Sequence, residues 1–305
     1  MHQVFARIMG SLVLAVCATA AAATAPLPAK LSAIDVVSKN IAARGGLEAW
    51  RAVKTMSLSG TTGAGGNQRA TLQVPTQSQA TVVTRKTEAA KLPLRRTEEV
   101  NLPFLMELAR PRKLRFELKV AGQTALQVYD GVNGWKLRPY LNRLEVEPYT
   151  AEELKVASVQ ADLDGPLVDY QAKGTRIDMD GSEKVEGHDT YKLKLTLKGG
   201  EVTHVWVDAK TFLETKIEGQ PRRLDGTYHP VEVYYRDYRN VNGLEIPFAL
   251  ETRVLPVTKT AAGFRDTPVP PEKIVIEKVV INPAFDAGLF SKPAVAAPVA
   301  TPSKS

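Results

Sequence analysis

The chain has 305 residues, 44% hydrophobic and 24% charged, which suits one large globular domain or two modest ones and excludes a low-complexity or fibrous chain. Its formal charge of +7 is spread along the sequence rather than gathered in a tail. Spread in this way, the charge reads first as a solvated basic surface; with no recognisable reading motif it does not point to nucleic acid, and a basic exported protein would sooner meet anionic lipid or acidic partners.

Near the start, a short region carrying Arg7 leads into an apolar run of 16 residues, Ile8 to Ala23, followed by Pro26 and Pro28. A bilayer span needs about 20 apolar residues, so this layout reads as a secretory signal. Ala21 and Ala23 supply an A-x-A site, so residues 1–23 are expected to be removed and the mature protein to begin near Thr24. Cys17, the only cysteine, leaves with the signal; Val16 stands where a lipoprotein site wants a very small residue. The mature chain therefore has no thiol, disulfide or cysteine-bound metal.

Ser32 followed by Asp35 forms a capping box, and Ile34, Val37 and Ile41 recur at helical spacing until Gly45-Gly46. This predicts a helix over Ala33 to Arg44 and a short second turn, Leu47 to Val53, carrying Trp50. From Thr55 the period changes to two. In KLRFELKV, Leu114, Phe116, Leu118 and Val120 oppose Lys113, Arg115, Glu117 and Lys119, the pattern of a half-buried antiparallel strand. YKLKLTLK repeats it with Tyr191, Leu193, Leu195 and Leu197, and Gly199-Gly200 turns the chain into VTHVWVD. Further strands are expected at Met56 to Thr62, Thr124 to Tyr129, Trp135 to Arg138, Ile177 to Glu183, Phe212 to Glu218, Val231 to Val241, Ile246 to Arg253 and Ile274 to Ile281. Thr150 and Glu153 form a second capping box, opening a helix that reaches about Asp162 and ends at DGPL. Residues 63–96 read as two or three strands joined by glycine-rich connections, and 294–305 as a disordered tail rich in small residues and proline. Many one-faced strands with two helices describe a single curved sheet covering its apolar side; a two-domain split near Asp164 to Gly174 is the competing reading.

Chemistry is sparse. In YDGVNGW, Val132 stands where a calcium loop needs its second oxygen ligand, while Asp130, Gly131, Asn133 and Gly134 are turn formers between two strands. DMDG at Asp178 and DLDG at Asp162 also read as turns or helix ends. His188, His204 and His229 have no partner at metal-binding spacing, and no G-x-S-x-G elbow or phosphate loop is present. No enzyme activity, metal or cofactor is expected. The oily face either fills with its own side chains, which alternation alone favours, or keeps a cavity for an apolar ligand.

Several stretches together resemble exported bacterial outer-membrane lipoprotein-sorting proteins, the LolA-like family. They are VVSKNIAARGGLEAWRAVKTMSLSGT, YDGVNGWKLRPY with YTAEELK, DLDGPLVDYQAKG, KVEGHDTYKLKLTLKGGEVTHVWVDAKTFLETK, YRDYRNVNGLEIPFALE and INPAFDAGLFSKP. The resemblance spans about Ala33 to Pro293 and implies a single half-barrel domain over 24–293. Its fold would be mainly β (α+β): an incomplete, strongly curved antiparallel β-barrel with helices covering or plugging the open side. It implies a periplasmic carrier or chaperone that holds acyl chains of a lipid or lipoprotein in an apolar cavity and exchanges them with membrane donor and acceptor proteins. Leu114, Phe116, Leu118, Trp135, Leu193 and Leu195 are the expected cavity residues. The alternative is an envelope sensor of the same fold acting on a membrane protein partner. No arginine in the sequence matches a lid-latching role.

Overall fold

The computed structural model describes residues 31–63, 100–224, 226–257 and 269–294. The signal, the strands expected within 64–99 and the tail from 295 lie outside the described residues.

Helix α1, Ala33–Ala43, starts at the expected capping box: the Asp35 amide donates to Ser32 Oγ at 3.2 Å and the Ser32 amide donates to Asp35 Oδ2 at 2.9 Å. It buries Val36, Val37 and Asn40. The chain then reverses at Gly45, whose φ is +110° and where a Cβ would stand 2.2 Å from the Gly243 carbonyl oxygen, so only glycine fits. Helix α2, Leu47–Ala52, follows and buries Trp50.

Thirteen strands form one antiparallel sheet. They are β1 Thr55–Gly63, β2 Asn101–Ala109, β3 Lys113–Val120, β4 Gln123–Tyr129, β5 Gly134–Arg138, β6 Arg143–Pro148, β7 Arg176–Val185, β8 His188–Thr196, β9 Val202–Asp208, β10 Glu214–Leu224, β11 Thr227–Val241, β12 Leu244–Val254 and β13 Glu272–Ile281. Their order is β6-β5-β4-β3-β2-β1-β13-β12-β11-β10-β9-β8-β7. The first six strands and the last seven are thus two meanders joined where β1 pairs with β13. A continuous sheet runs through both sides of the 164–174 segment.

Register places the apolar residues on one face. Leu108 lies opposite Leu114, Met106 opposite Phe116 and Phe104 opposite Leu118, and directly opposed residues share a face. Strand β2 was not expected, because Pro103 and the outward Leu105 blur its alternation. Pro103 is tolerated because β2 pairs with β3 only from Phe104 onward, so no ladder bond to β3 needs its missing N–H.

The sheet curls strongly without closing. From β2 to β9 is six interstrand steps, about 29 Å if flat, yet Phe104 of β2 and Val205 of β9 line the same cavity. Edges β6 and β7 stay unpaired with each other, and the chain crosses from one to the other through α3, Ala151–Gln160, and the turns that follow. Helix α3 carries its own capping box, Thr150 with Glu153, and contacts β4 and β5, while α1 contacts β7. Helices and crossover therefore fill the concave side. On the other face, Phe285, Leu289 and Phe290 of the segment after β13 cover Ala109, Val128 and Trp135.

Candidate functional site

Between the concave face and the crossover lies a half-open cavity of about 210 Å³. Its walls are mostly apolar: Met56 and Leu58 from β1, Phe104 and Met106 from β2, Ile246 from β12 and Ile274 from β13 are representative. Pairing explains the convergence, since Leu58 opposes Met106 and Met56 opposes Leu108. Leu163 and Pro166 close the cavity from the crossover side.

One end is polar. Arg44, the residue that caps α1, is buried and its guanidinium stacks on the Trp50 ring at 4.3 Å. Its Nη1 donates to the Asp164 carbonyl at 2.9 Å and to Glu214 Oε1 at 3.2 Å, the two side chains being 9% and 7% exposed. The Tyr238 hydroxyl donates to the Glu214 carbonyl at 2.9 Å, and Glu214 Oε2 lies 3.3 Å away. Burial and then the Glu214 charge push both Tyr235 and Tyr238 hydroxyls well up, so both stay protonated. A positive φ at Asp237 breaks the strand alternation, and Tyr235 and Tyr238 both reach the cavity.

The crossover is tied down by charge. Arg110 donates to the Val53 and Trp50 carbonyls at 2.7 and 3.0 Å and to Asp164 Oδ2 at 2.8 Å. Lys173 donates to Asp162 at 2.8 Å, to the Gly165 carbonyl at 2.6 Å and to Asp164 at 3.2 Å. Burial, reinforced by Asp164 and opposed by Lys173, raises the Asp162 carboxyl to about 6. Burial also penalises the Asp164 charge, but Asp162, Lys173 and Arg110 outweigh it and pull that carboxyl down. The two acids therefore hold different protonation states between those limits.

The six residues expected to line the cavity are distributed differently. Leu114 is buried in the core cluster that shares Met56, Leu58 and Phe104 with the cavity wall, and Phe116 and Leu118 pack against that cluster. The Phe116 ring stacks on Phe104 at 5.7 Å, forming a second layer behind the wall. Leu193 and Leu195 are fully buried, Leu193 lying opposite the cavity residue Val205. Trp135 packs with Val128, Phe285 and Phe290 on the other face of the sheet. None of the six is itself among the lining side chains.

Residues that sequence reasoning passed over are Arg44, Glu214, Tyr235 and Tyr238. Arg44 does pin the crossover, contrary to the expectation that no arginine had such a role. A basic residue at a helix C-terminus reads as a solvated dipole partner, and only the spatial approach of residues 120 and 170 positions away gives it another meaning.

YDGVNGW is a hairpin turn: Asp130 N donates to the Asn133 carbonyl, and the Val132 and Asn133 amides donate to Asp130 Oδ1 at 2.8 and 2.6 Å. Burial works against this carboxylate, but those amides hold it below its ordinary range. His204 Nδ1 lies 2.7 Å from Glu218, and His229 is buried with Nδ1 3.2 Å from the Leu255 carbonyl. Among the described residues no three His, Cys, Asp or Glu groups converge to hold a metal ion.

No family model matches the chain, and no curated protein does. Among solved structures it is similar to a DUF1329 family protein from Desulfovibrio piger, at TM-score 0.50 and 11% identity over 87% of this chain and 99% of the other. A LolA superfamily protein from Nitrosomonas europaea matches at TM-score 0.49 and 11% identity, covering 86% and 99% of the two chains. An outer membrane lipoprotein-sorting protein domain from Vibrio parahaemolyticus matches at 0.47 and 10%, covering 85% and 96%. The likeness to the Desulfovibrio piger protein is one of fold, and the architecture itself is the one expected from the sequence: mainly β, open, curved and covered by helices.

Proposed function

We propose that the protein is a periplasmic carrier that binds acyl chains of a lipid or lipoprotein in the cavity beneath the crossover and shields them on the way to the outer membrane, without covalent chemistry. The observation that carries this reading is the half-open, largely apolar cavity of about 210 Å³, kept unfilled where simple alternation would pack side chains. Its size is below the roughly 300–1,000 Å³ common for drug-sized ligands, so it suits part of one chain. Each methylene transferred from water gains about 0.8 kcal/mol, so a chain of about ten carbons gains about 8 kcal/mol. Association costs at least about 4 kcal/mol of that. The remainder gives exchangeable binding, which a carrier requires.

The test is titration of delipidated mature protein with a fluorescent fatty-acyl probe, followed by competition with phospholipid. Saturable, competable binding is expected. Phe116→Leu should weaken it by loosening the ring behind Phe104. Lys192→Gln, on the outer face where Lys192 pairs with Asp180, should leave affinity for an uncharged probe unchanged. Protein that is folded by circular dichroism yet binds no probe would overturn the carrier reading and favour the envelope sensor.

A further inference from the structure

The two edges of the sheet are built differently. Strand β7 carries Arg176, Asp178, Asp180, Glu183 and Lys184, shifts register between Met179 and Ser182 where Gly181 has a φ of +99°, and is contacted by α1. Charges, a bulge and a covering helix are the devices that keep a sheet edge from pairing with another chain. Strand β6, at the opposite end of the order, has no neighbour on its free side among the described residues. Its first three residues, Arg143, Leu144 and Glu145, are exposed, Leu144 at 59%, and so are Tyr140 and Leu141 in the turn before it. Leu144 and Val146 share the outer face with Trp135, since Trp135 opposes Pro148. Arg143, Glu145 and Glu147 lie on the other face, where Glu147 accepts from Arg138 at 2.6 Å. Glu145 has no ion-pair partner among the described residues.

What this edge can accept follows from its own residues. A second β6 laid antiparallel about a two-fold axis keeps each face of the sheet continuous only in registers that set one residue opposite itself. Arg143, Glu145 or Glu147 on the axis brings two like charges together, and Val146 on the axis sets Glu145 against Glu147 twice; like charges directly opposite are destabilising. With Leu144 on the axis, the two leucines meet on the outer face, and Arg143 of each copy meets Glu145 of the other. This register alone pairs apolar with apolar and cation with anion, and it is centred on the three exposed residues of the strand. It also employs the acid that lacks a partner and leaves Glu147 with Arg138. We propose that β6 is a self-association edge, to which a second copy of this chain adds its own β6 antiparallel, Leu144 against Leu144 and Arg143 against Glu145. A strand of six residues makes a small contact, so the dimer is weak and forms only at high protein concentration.

Sedimentation equilibrium of the mature protein tests this. Wild type should pass from monomer to dimer between micromolar and near-millimolar concentration. Leu144→Lys should remain monomeric. Arg143→Glu and Glu145→Arg should each weaken dimerisation about tenfold, because each acts at both symmetry-related pairs. Arg143→Glu combined with Glu145→Arg exchanges the charges and should recover most of the wild-type affinity. All three side chains are exposed, so circular dichroism should show every variant folded. Wild type that stays monomeric throughout overturns the proposal, as does a dimer that Leu144→Lys leaves intact. A combined variant no better than the single ones overturns the pairing of Arg143 with Glu145. No residue of β6 lines the cavity, so these outcomes are independent of whether an acyl chain binds.

Discussion

Arg44→Met separates the buried ion pair from the apolar packing around it. Arg44 and Glu214 are 9% and 7% exposed at 3.2 Å, so removing the cation leaves a carboxylate in a dry site. Breaking a buried pair in this way costs about 3–5 kcal/mol, and the Asp164 carbonyl also loses its donor, about 1 kcal/mol. Tyr238 still donates near Glu214 and methionine retains the apolar stem over Trp50, both of which soften the loss. A net destabilisation of about 3 kcal/mol is expected, a large part of the roughly 5–15 kcal/mol typical of a domain. Equilibrium urea unfolding measures it, with Trp50 beneath the guanidinium as one intrinsic fluorophore. Adding Glu214→Gln to Arg44→Met should restore at least about 1 kcal/mol, because the amide no longer needs a cation. Two single losses that simply add, or an Arg44→Met loss below about 1 kcal/mol, would refute the claim that this buried pair stabilises the fold.

Three further outcomes are expected. Because Asp162 is raised from 3.8 to about 6, its contribution to stability is fully present below 3.8 and is lost as pH rises toward 6. Asp162→Asn should therefore gain on wild type between pH 4 and pH 7.5 in thermal melts, and equal pH profiles would contradict it. Gly45→Ala should cost several-fold more than Gly46→Ala in urea midpoint, since both have positive φ but only Gly45 presses a carbonyl, at 2.2 Å. N-terminal sequencing of the envelope form should read from Thr24; an intact Met1 or a lipidated Cys17 would reverse the export reading.

The elements were legible wherever a local rule decided them. Both capping boxes mark helix starts within a residue, and KLRFELKV is a strand over the same residues that its alternation predicts. Strand β6 escaped because Leu144, Val146 and Pro148 run along an exposed edge, where no buried face enforces a pattern. The site was legible only as an apolar face. Alternation says that Leu114 and Leu193 point inward, but not whether the space in front of them is filled, and the structure fills it. Trp135 lies outward because it opposes Val128, whose face is covered by a segment some 150 residues later. The polar end could not be read at all, since it depends on Asp237 breaking the period of β11 and on Arg44 meeting Asp164 and Glu214 across the fold.

These two kinds of contact divide the work of the fold. Apolar burial is non-directional and tolerates several positions of the crossover against the sheet, whereas hydrogen bonds weaken steeply away from their preferred angle and distance. Asp164 joins three parts of the chain: its carbonyl accepts from Arg44 of the α1 end, and its carboxylate from Arg110 after β2 and Lys173 of the crossover. The residue is fully buried, so its contacts form or break together rather than being exchanged for water. Leu163 and Pro166, on the crossover side of the cavity of about 210 Å³, stand one and two residues from Asp164 in sequence. The same aspartate therefore holds the crossover segment that forms this side of the cavity wall. A polar hub, and not apolar contact alone, fixes where this wall of the cavity stands.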